Sequence, residues 1–190
     1  ALGLFGSMLQ ADDWYVSVIG VDLPGNGTTP VAPFRTIGYA IQAAAPGDLV
    51  QVASGVYGES DLVVDKTLTI RGAGAGATVV DGGYAGVVFF LYGTNRVIRL
   101  EDMTIQAGRG LDGGGVLSVA ADATLARCEL ADNVSEEFGG GARNHDGTLR
   151  LVQCRVLRNQ ARTAGGGIYG ARLESCLVAF NEATNGTGGG

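Results

Sequence analysis

The sequence predicts an all-β solenoid, a right-handed parallel β-helix of short strands that begins with one short amphipathic helix. Three observations predict it. The chain holds 33 glycines against only 4 prolines, without the every-third-residue period of collagen, so its glycines mark recurrent turns. Three segments align residue for residue: LARCELADN (125–133), LVQCRVLRN (151–159) and LESCLVAFN (173–181). Each places Leu three before a Cys, an aliphatic residue two after it and Asn five after it, and glycines 139–141, 165–167 and 188–190 follow. A degenerate copy, LEDMTIQAG (100–108), precedes them, and the intervals between the Met103, Cys128, Cys154 and Cys176 positions are 25, 26 and 22 residues. A glycine-punctuated, strand-like period of that length belongs to a β-solenoid, since helical repeats are longer and poorer in Gly. The third observation is parity. Side chains alternate along a strand, yet Leu151 and Cys154 are an odd step apart and both apolar, so the chain bends between them. The same break recurs before Met103, Cys128 and Cys176, and predicts two strands per repeat on different faces.

The elements follow in order. Residues 1–13 open with an apolar run too short to span a bilayer, followed by Asp12-Asp13; they read as a signal-peptide remnant or a disordered arm. Residues 14–47 read as a cap. WYVSVI (14–19) is a strand, 20–33 a loop, and 36–45 a helix whose Phe34, Ile37, Ala40, Ile41 and Ala44 recur at helical spacing until Pro46-Gly47-Asp48 stops it. A solenoid needs such a cover, because an open end exposes core and strand edges. From 48 to 190 come the coils: first the less regular strands 49–52, 62–64, 68–70, 78–80, 87–91 and 97–100, then the repeats. The last glycines fall in mid-repeat with no polar cap, which leads us to expect a fragment of a longer protein.

Stacking the repeats in register makes further statements. Glu129 sits over Arg155 and Asp132 over Arg158, opposite charges on an outer face that fix register more than stability. Cys128, Cys154 and Cys176 form one column of small buried side chains, and three thiols cannot all pair. Asn133, Asn159 and Asn181 form an internal amide ladder in which each side chain satisfies its neighbour. Both columns are structural.

The run YVSVIGVD…PFRTIGYAIQAAAPGDLVQVASGVYGES…LTIRGAG…VVDGG, from 15 to 83, resembles the opening of bacterial secreted pectin-lyase-like right-handed β-helix proteins. The aliphatic-x-x-Asn elements Leu130–Asn133, Val156–Asn159 and Val178–Asn181, with their glycines, resemble the repeats of polymorphic outer-membrane proteins. The resemblance implies a secreted or cell-surface protein, extracellular or outer-membrane, in a superfamily whose members include lyases, hydrolases, esterases and adhesins.

No catalytic, cofactor or metal residue is assigned. Gly55-Val56-Tyr57-Gly58-Glu59 resembles the GxYxE element of pectin methylesterases, but the segments supplying that enzyme's acid and nucleophile are absent. A pectate-type lyase wants clustered carboxylates for Ca²⁺, whereas Asp102, Arg127, Asp132, Arg155 and Arg158 alternate in sign. A polygalacturonase wants three convergent aspartates and a His. The single histidine, His145, sits in the turn sequence Asn144-His145-Asp146-Gly147, badly arranged for a proton relay. With 13 basic and 19 acidic residues, a net charge of −6 and no basic cluster, nucleic acid is excluded as a partner. No later segment is long and apolar enough to cross a membrane. The reading is a non-catalytic, adhesin-like β-helix that presents a flank to polysaccharide or cell-surface glycan and needs no cofactor. The alternative is the front of a polysaccharide lyase or other carbohydrate-active enzyme acting on acidic polysaccharide, and Ca²⁺ enters only with that alternative.

Overall fold

A computed structural model describes residues 11–186 and 188–189. The segment read as a signal-peptide remnant lies almost wholly outside those residues, as does Gly190 of the last triplet. Among the described residues the strands form four sheets, all parallel, each gathering one strand from successive coils. The seven-stranded sheet runs Asp13–Val16, Leu49–Val52, Leu68–Arg71, Val97–Glu101, Asp122–Ala126, Thr148–Val152 and Arg172–Glu174. A six-stranded sheet runs from Gly55–Gly58 to Leu177–Ala179, and a five-stranded sheet from Leu62–Val64 to Ile168–Tyr169. A fourth sheet is built of two-residue strands, such as Val134–Ser135 over Gln160–Ala161. Each regular coil therefore carries four strands, not the two that parity suggested. Strands of two residues are too short to show alternation, and the glycines that follow them hide the third face.

Register is that of the aligned repeats: Leu100, Leu125, Leu151 and Leu173 stack, as do Ile105, Leu130, Val156 and Val178. The inward columns close into one continuous apolar core. Arg155 meets Glu129 at 3.0 Å and Arg158 meets Asp132 at 2.8 Å, as the stacking requires.

The odd parity step has a local cause. Asp102, Arg127, Gln153 and Ser175, each just before the Met/Cys position, have φ between 53° and 56°. One left-handed residue turns the chain through the corner and resets which side chain points inward. The residue before each Gly108/Asn position repeats the device, with φ of 50° at Ala107, 55° at Asp132, 53° at Arg158 and 59° at Phe180. Left-handed backbone costs a non-glycine residue roughly 1–2 kcal/mol, so the packing of neighbouring coils holds these corners.

The glycine triplets supply the third corner. Gly139 has φ of 65°, a conformation that favours glycine. Gly114, the middle member of its triplet, has no room for a side chain: a Cβ there would lie 2.5 Å from the Val134 carbonyl oxygen and 2.6 Å from that of Gly140.

The N-terminal strand ends at Val16, three residues earlier than expected, because the Gly20 amide donates to the Ser17 carbonyl and folds 17–20 into a turn. Val18 and Ile19 are exposed there. The helix spans Ile37–Ala43, shorter than 36–45, since Ala45 precedes Pro46 and that position disfavours helical backbone. It buries Ile37, Ala40 and Ile41 against the core.

Seven residues make a marginal helix, and side chains hold both its ends. Thr36 Oγ1 accepts from the Tyr39 amide, while Glu59 accepts from the Ile37 and Gly38 amides at 2.8 and 2.9 Å. At the other end Lys66 Nζ donates to the Ile41 and Ala44 carbonyls, both at 3.0 Å. Asp48, 3% exposed, accepts from the Asp12 amide, the Trp14 indole and the Ala45 amide at 2.8–2.9 Å. Burial pushes the Asp48 carboxyl up, but those donors and Lys66 outweigh it and hold it below its ordinary 3.8.

A group held below its unfolded value stabilises the fold above that value and loses the contribution as pH falls through its folded one. Asp48→Asn keeps the shape but sets an amide donor against other donors, so it is expected to cost about 2–3 kcal/mol at pH 7. Urea unfolding at pH 7 and pH 3 checks this: the gap between wild type and variant should shrink at the lower pH.

Candidate functional site

The outward positions of the seven-stranded sheet alternate with its buried leucines and form one column, Thr69, Arg99, Thr124, Arg150 and Arg172. Parallel strands lie about 4.8 Å apart, so three guanidinium groups share a strip four strands wide. Arg150 approaches Glu174 at 3.5 Å. Arg99 and Arg172 have no carboxylate within ion-pair distance among the described residues. The flanking column is neutralised: Glu101 is shared by Arg71 at 2.9 Å and Arg127 at 3.4 Å, and Asp102 takes a two-pronged contact from Arg127 at 2.7 Å. That contact holds the Asp102 carboxyl below its ordinary value.

Beside the free arginines a notch opens. Between the register pairs Arg143–Tyr169 and Arg150–Arg172, one coil has residues 144–149 and the next only 170–171. This four-residue shortening is the 22-residue interval already visible between Cys154 and Cys176. The strand Ala142–His145 thus loses its covering partners after Arg143. The resulting cavity of about 660 Å³ is lined by Arg99, Asp122, Thr124, Asn144, Arg150 and Arg172, among others. Asn144 Nδ2 donates to the Gly147 carbonyl at 3.3 Å, and Thr148 Oγ1 donates to Asp122 at 2.5 Å. Asn144 Oδ1 is buried and accepts no hydrogen bond among the described residues. The notch therefore offers cationic donors and hydroxyls beside one carboxylate, Asp122, which is itself engaged by Thr148, a lining that suits a polyhydroxylated anion.

The residues singled out from the sequence lie elsewhere. Asn133 Nδ2 donates to Asn159 Oδ1, and Asn159 Nδ2 to Asn181 Oδ1, each at 2.9 Å; Gly108, at the Asn position of the degenerate copy, gives its amide to Asn133 Oδ1 at 2.8 Å. Cys128, Cys154 and Cys176 are all free; the first two are buried and the third is partly exposed. Their sulfurs touch backbone carbonyls at 3.3–3.4 Å. The contact with Cys154 and complete burial push the Cys128 thiol well up, so it carries no reactive thiolate. His145 is exposed and ends a strand instead of sitting within the turn, which is made by Asp146 and Gly147 with φ of 63° and 75°. The GVYGE segment braces the helix: Tyr57 is buried with its hydroxyl on the Ala53 carbonyl, and Glu59 holds the helix amides. Burial pushes the Glu59 carboxyl up, only partly offset by those amides. Among the described residues no group of three or more His, Cys, Asp or Glu is placed to hold a metal ion, and no helix is long and apolar enough to cross a membrane.

Comparison with known proteins agrees on architecture. Residues 18–107 match the family described as "Protein of unknown function (DUF1565)". Pectin methylesterase PemA from Erwinia chrysanthemi superposes on 89% of this chain with a TM-score of 0.60 at 13% sequence identity. A protein of Azorhizobium caulinodans named UDP-N-acetylenolpyruvoylglucosamine reductase is 32% identical over 114 residues, 60% of this chain. The chain spans 36% of the length of that relative and 55% of the esterase structure. The fold is that of the pectin-lyase-like right-handed parallel β-helix.

Proposed function

We propose that this β-helix is a secreted or cell-surface module that binds acidic polysaccharide on the outer face of its seven-stranded sheet. The observation that carries the reading is the column Arg99, Arg150 and Arg172 beside the notch. The chain as a whole is acidic, so Arg99 and Arg172, unpaired on either side of the Arg150–Glu174 pair, are a local feature that recruits anions against the net charge. A polymer running along the solenoid axis passes successive arginines and places one unit in the notch, where Thr124 and Thr148 meet its hydroxyls.

Exposed charge contacts are screened by salt, whose screening length falls from roughly 30 Å at 0.01 M to about 8 Å at 0.15 M. Affinity electrophoresis in gels containing polygalacturonate is expected to show strong retardation at low salt that weakens at physiological salt, with none in gels of fully methyl-esterified pectin. Equal retardation by both polymers would remove the charge-based reading. An enzyme reading, the front of a longer carbohydrate-active protein, draws on the esterase's fold and greater length. It predicts unsaturated ends or released methanol from the same polymers, and binding without product favours the module.

A further inference from the structure

We propose a second binding surface, for neutral polysaccharide, on the outer face of the five-stranded sheet. Its outward column runs Val63, Phe90, Leu117, Arg143 and Tyr169, and the neighbouring outward column carries Tyr92 and Val119 ahead of His145. The seven-stranded sheet of the same molecule shows arginine, threonine and glutamate at the equivalent outward positions. This mostly apolar stripe, with Val63, Tyr92 and Tyr169 exposed on it, is the surface offered to a partner.

The nature of that partner follows from three features. The stripe carries no free charge: Arg143, its one cation, is paired with Asp112 and lies under the Phe138 ring, 4.6 Å from its centroid, with Tyr169 at 5.7 Å. A charged ligand thus gains nothing there. Two aromatic pairs stand on the stripe, Phe90 with Tyr92 at 5.9 Å and Phe138 with Tyr169 at 4.8 Å. They are separated by three coil rises, about 14 Å, the reach of a short run of sugar rings whose C–H faces stack on aromatic ones. Exposed Tyr92 and Tyr169 also bring hydroxyls for the sugar rims, the amphipathic use to which tyrosine is suited. Finally, strands of two to four residues over five coils make a patch of at most roughly 250 Å², well short of the about 800 Å² per partner of a stable protein interface. A chain-like ligand fits that strip, and a second copy of the protein does not. The inference stands independently of the arginine face.

The test is affinity electrophoresis of the 190-residue chain in gels containing hydroxyethylcellulose or glucomannan, beside Tyr92→Ala/Tyr169→Ala and Tyr92→Phe/Tyr169→Phe. Retardation in at least one neutral polymer is expected, insensitive to salt, weakened about tenfold or more by the alanine pair and retained by the phenylalanine pair, which keeps the rings. Should the alanine pair fail to fold, Leu117→Arg sets an unpaired charge midway along the stripe and must also abolish retardation. No retardation in either polymer overturns the proposal, as does retardation unchanged in the alanine pair or Leu117→Arg. A dimer seen by light scattering that the same substitutions dissolve would also overturn it, by giving the face to a second copy.

Discussion

Asn159→Ala is expected to destabilise the chain by roughly 3–5 kcal/mol, because it strips one buried acceptor and one buried donor from a network shut off from solvent. Asn159 Oδ1 accepts from both the amide and Nδ2 of Asn133, while its own Nδ2 donates to the Leu130 carbonyl at 2.9 Å. Truncation orphans all of these at once. Asn133→Ala orphans the Gly108 amide and the Ile105 carbonyl of the preceding coil, one donor fewer than Asn159→Ala, so its loss should be somewhat smaller. Thermal unfolding resolves the two: at about 2–4 °C per kcal/mol for a chain of this size, Asn159→Ala should melt some ten degrees below wild type. Equal and small losses would mean that the ladder is ornamental.

Gly114→Ala is the second large effect, and its cause is steric. The added Cβ would meet only backbone of the next coil, at 2.5–2.6 Å from Val134 and Gly140, and no rotamer change relieves a clash with main chain. Separating the coils breaks the parallel ladder locally, so a loss of at least about 3 kcal/mol is expected. Gly58 supplies the control: it lies in a strand, a Cβ there has nothing within 4 Å, and Gly58→Ala should leave stability unchanged within about half a kcal/mol. Chemical denaturation of the pair checks both.

These two variants also show what the sequence made legible. The ladder and the triplets could be read because a solenoid forces the same chemistry onto the same place in every coil. Register, the corner before each Cys and the Glu129–Arg155 pairing all followed from that repetition. Features that occur once were beyond it. Lys66 caps the helix carbonyls from a coil that has no repeat of it, and Asp48 meets Asp12 and Trp14 only because the first two strands of the large sheet pair. Glu59 reaches back some twenty residues to the helix amides, a contact that no periodicity reports.

The candidate site lay between these cases. Its arginines alternate with leucines and align across the coils, but His145 and the cysteines carry the more familiar chemistry. Those belong to a strand end and to the core. The stronger signal was an irregularity: the 22-residue interval among intervals of 25 and 26 is what opens the notch.

The measurement that bears most directly on that site is a calorimetric titration with oligogalacturonate of wild type and two double variants that remove equal charge. Arg99→Ala/Arg172→Ala removes the unpaired arginines, and Arg155→Ala/Arg158→Ala removes two that are ion-paired on the six-stranded sheet. Exposed charge contacts contribute up to about 1 kcal/mol each, so the first variant should bind roughly tenfold more weakly while the second binds as wild type does. Equal losses in both, or none in the first, would contradict a specific site on the arginine face.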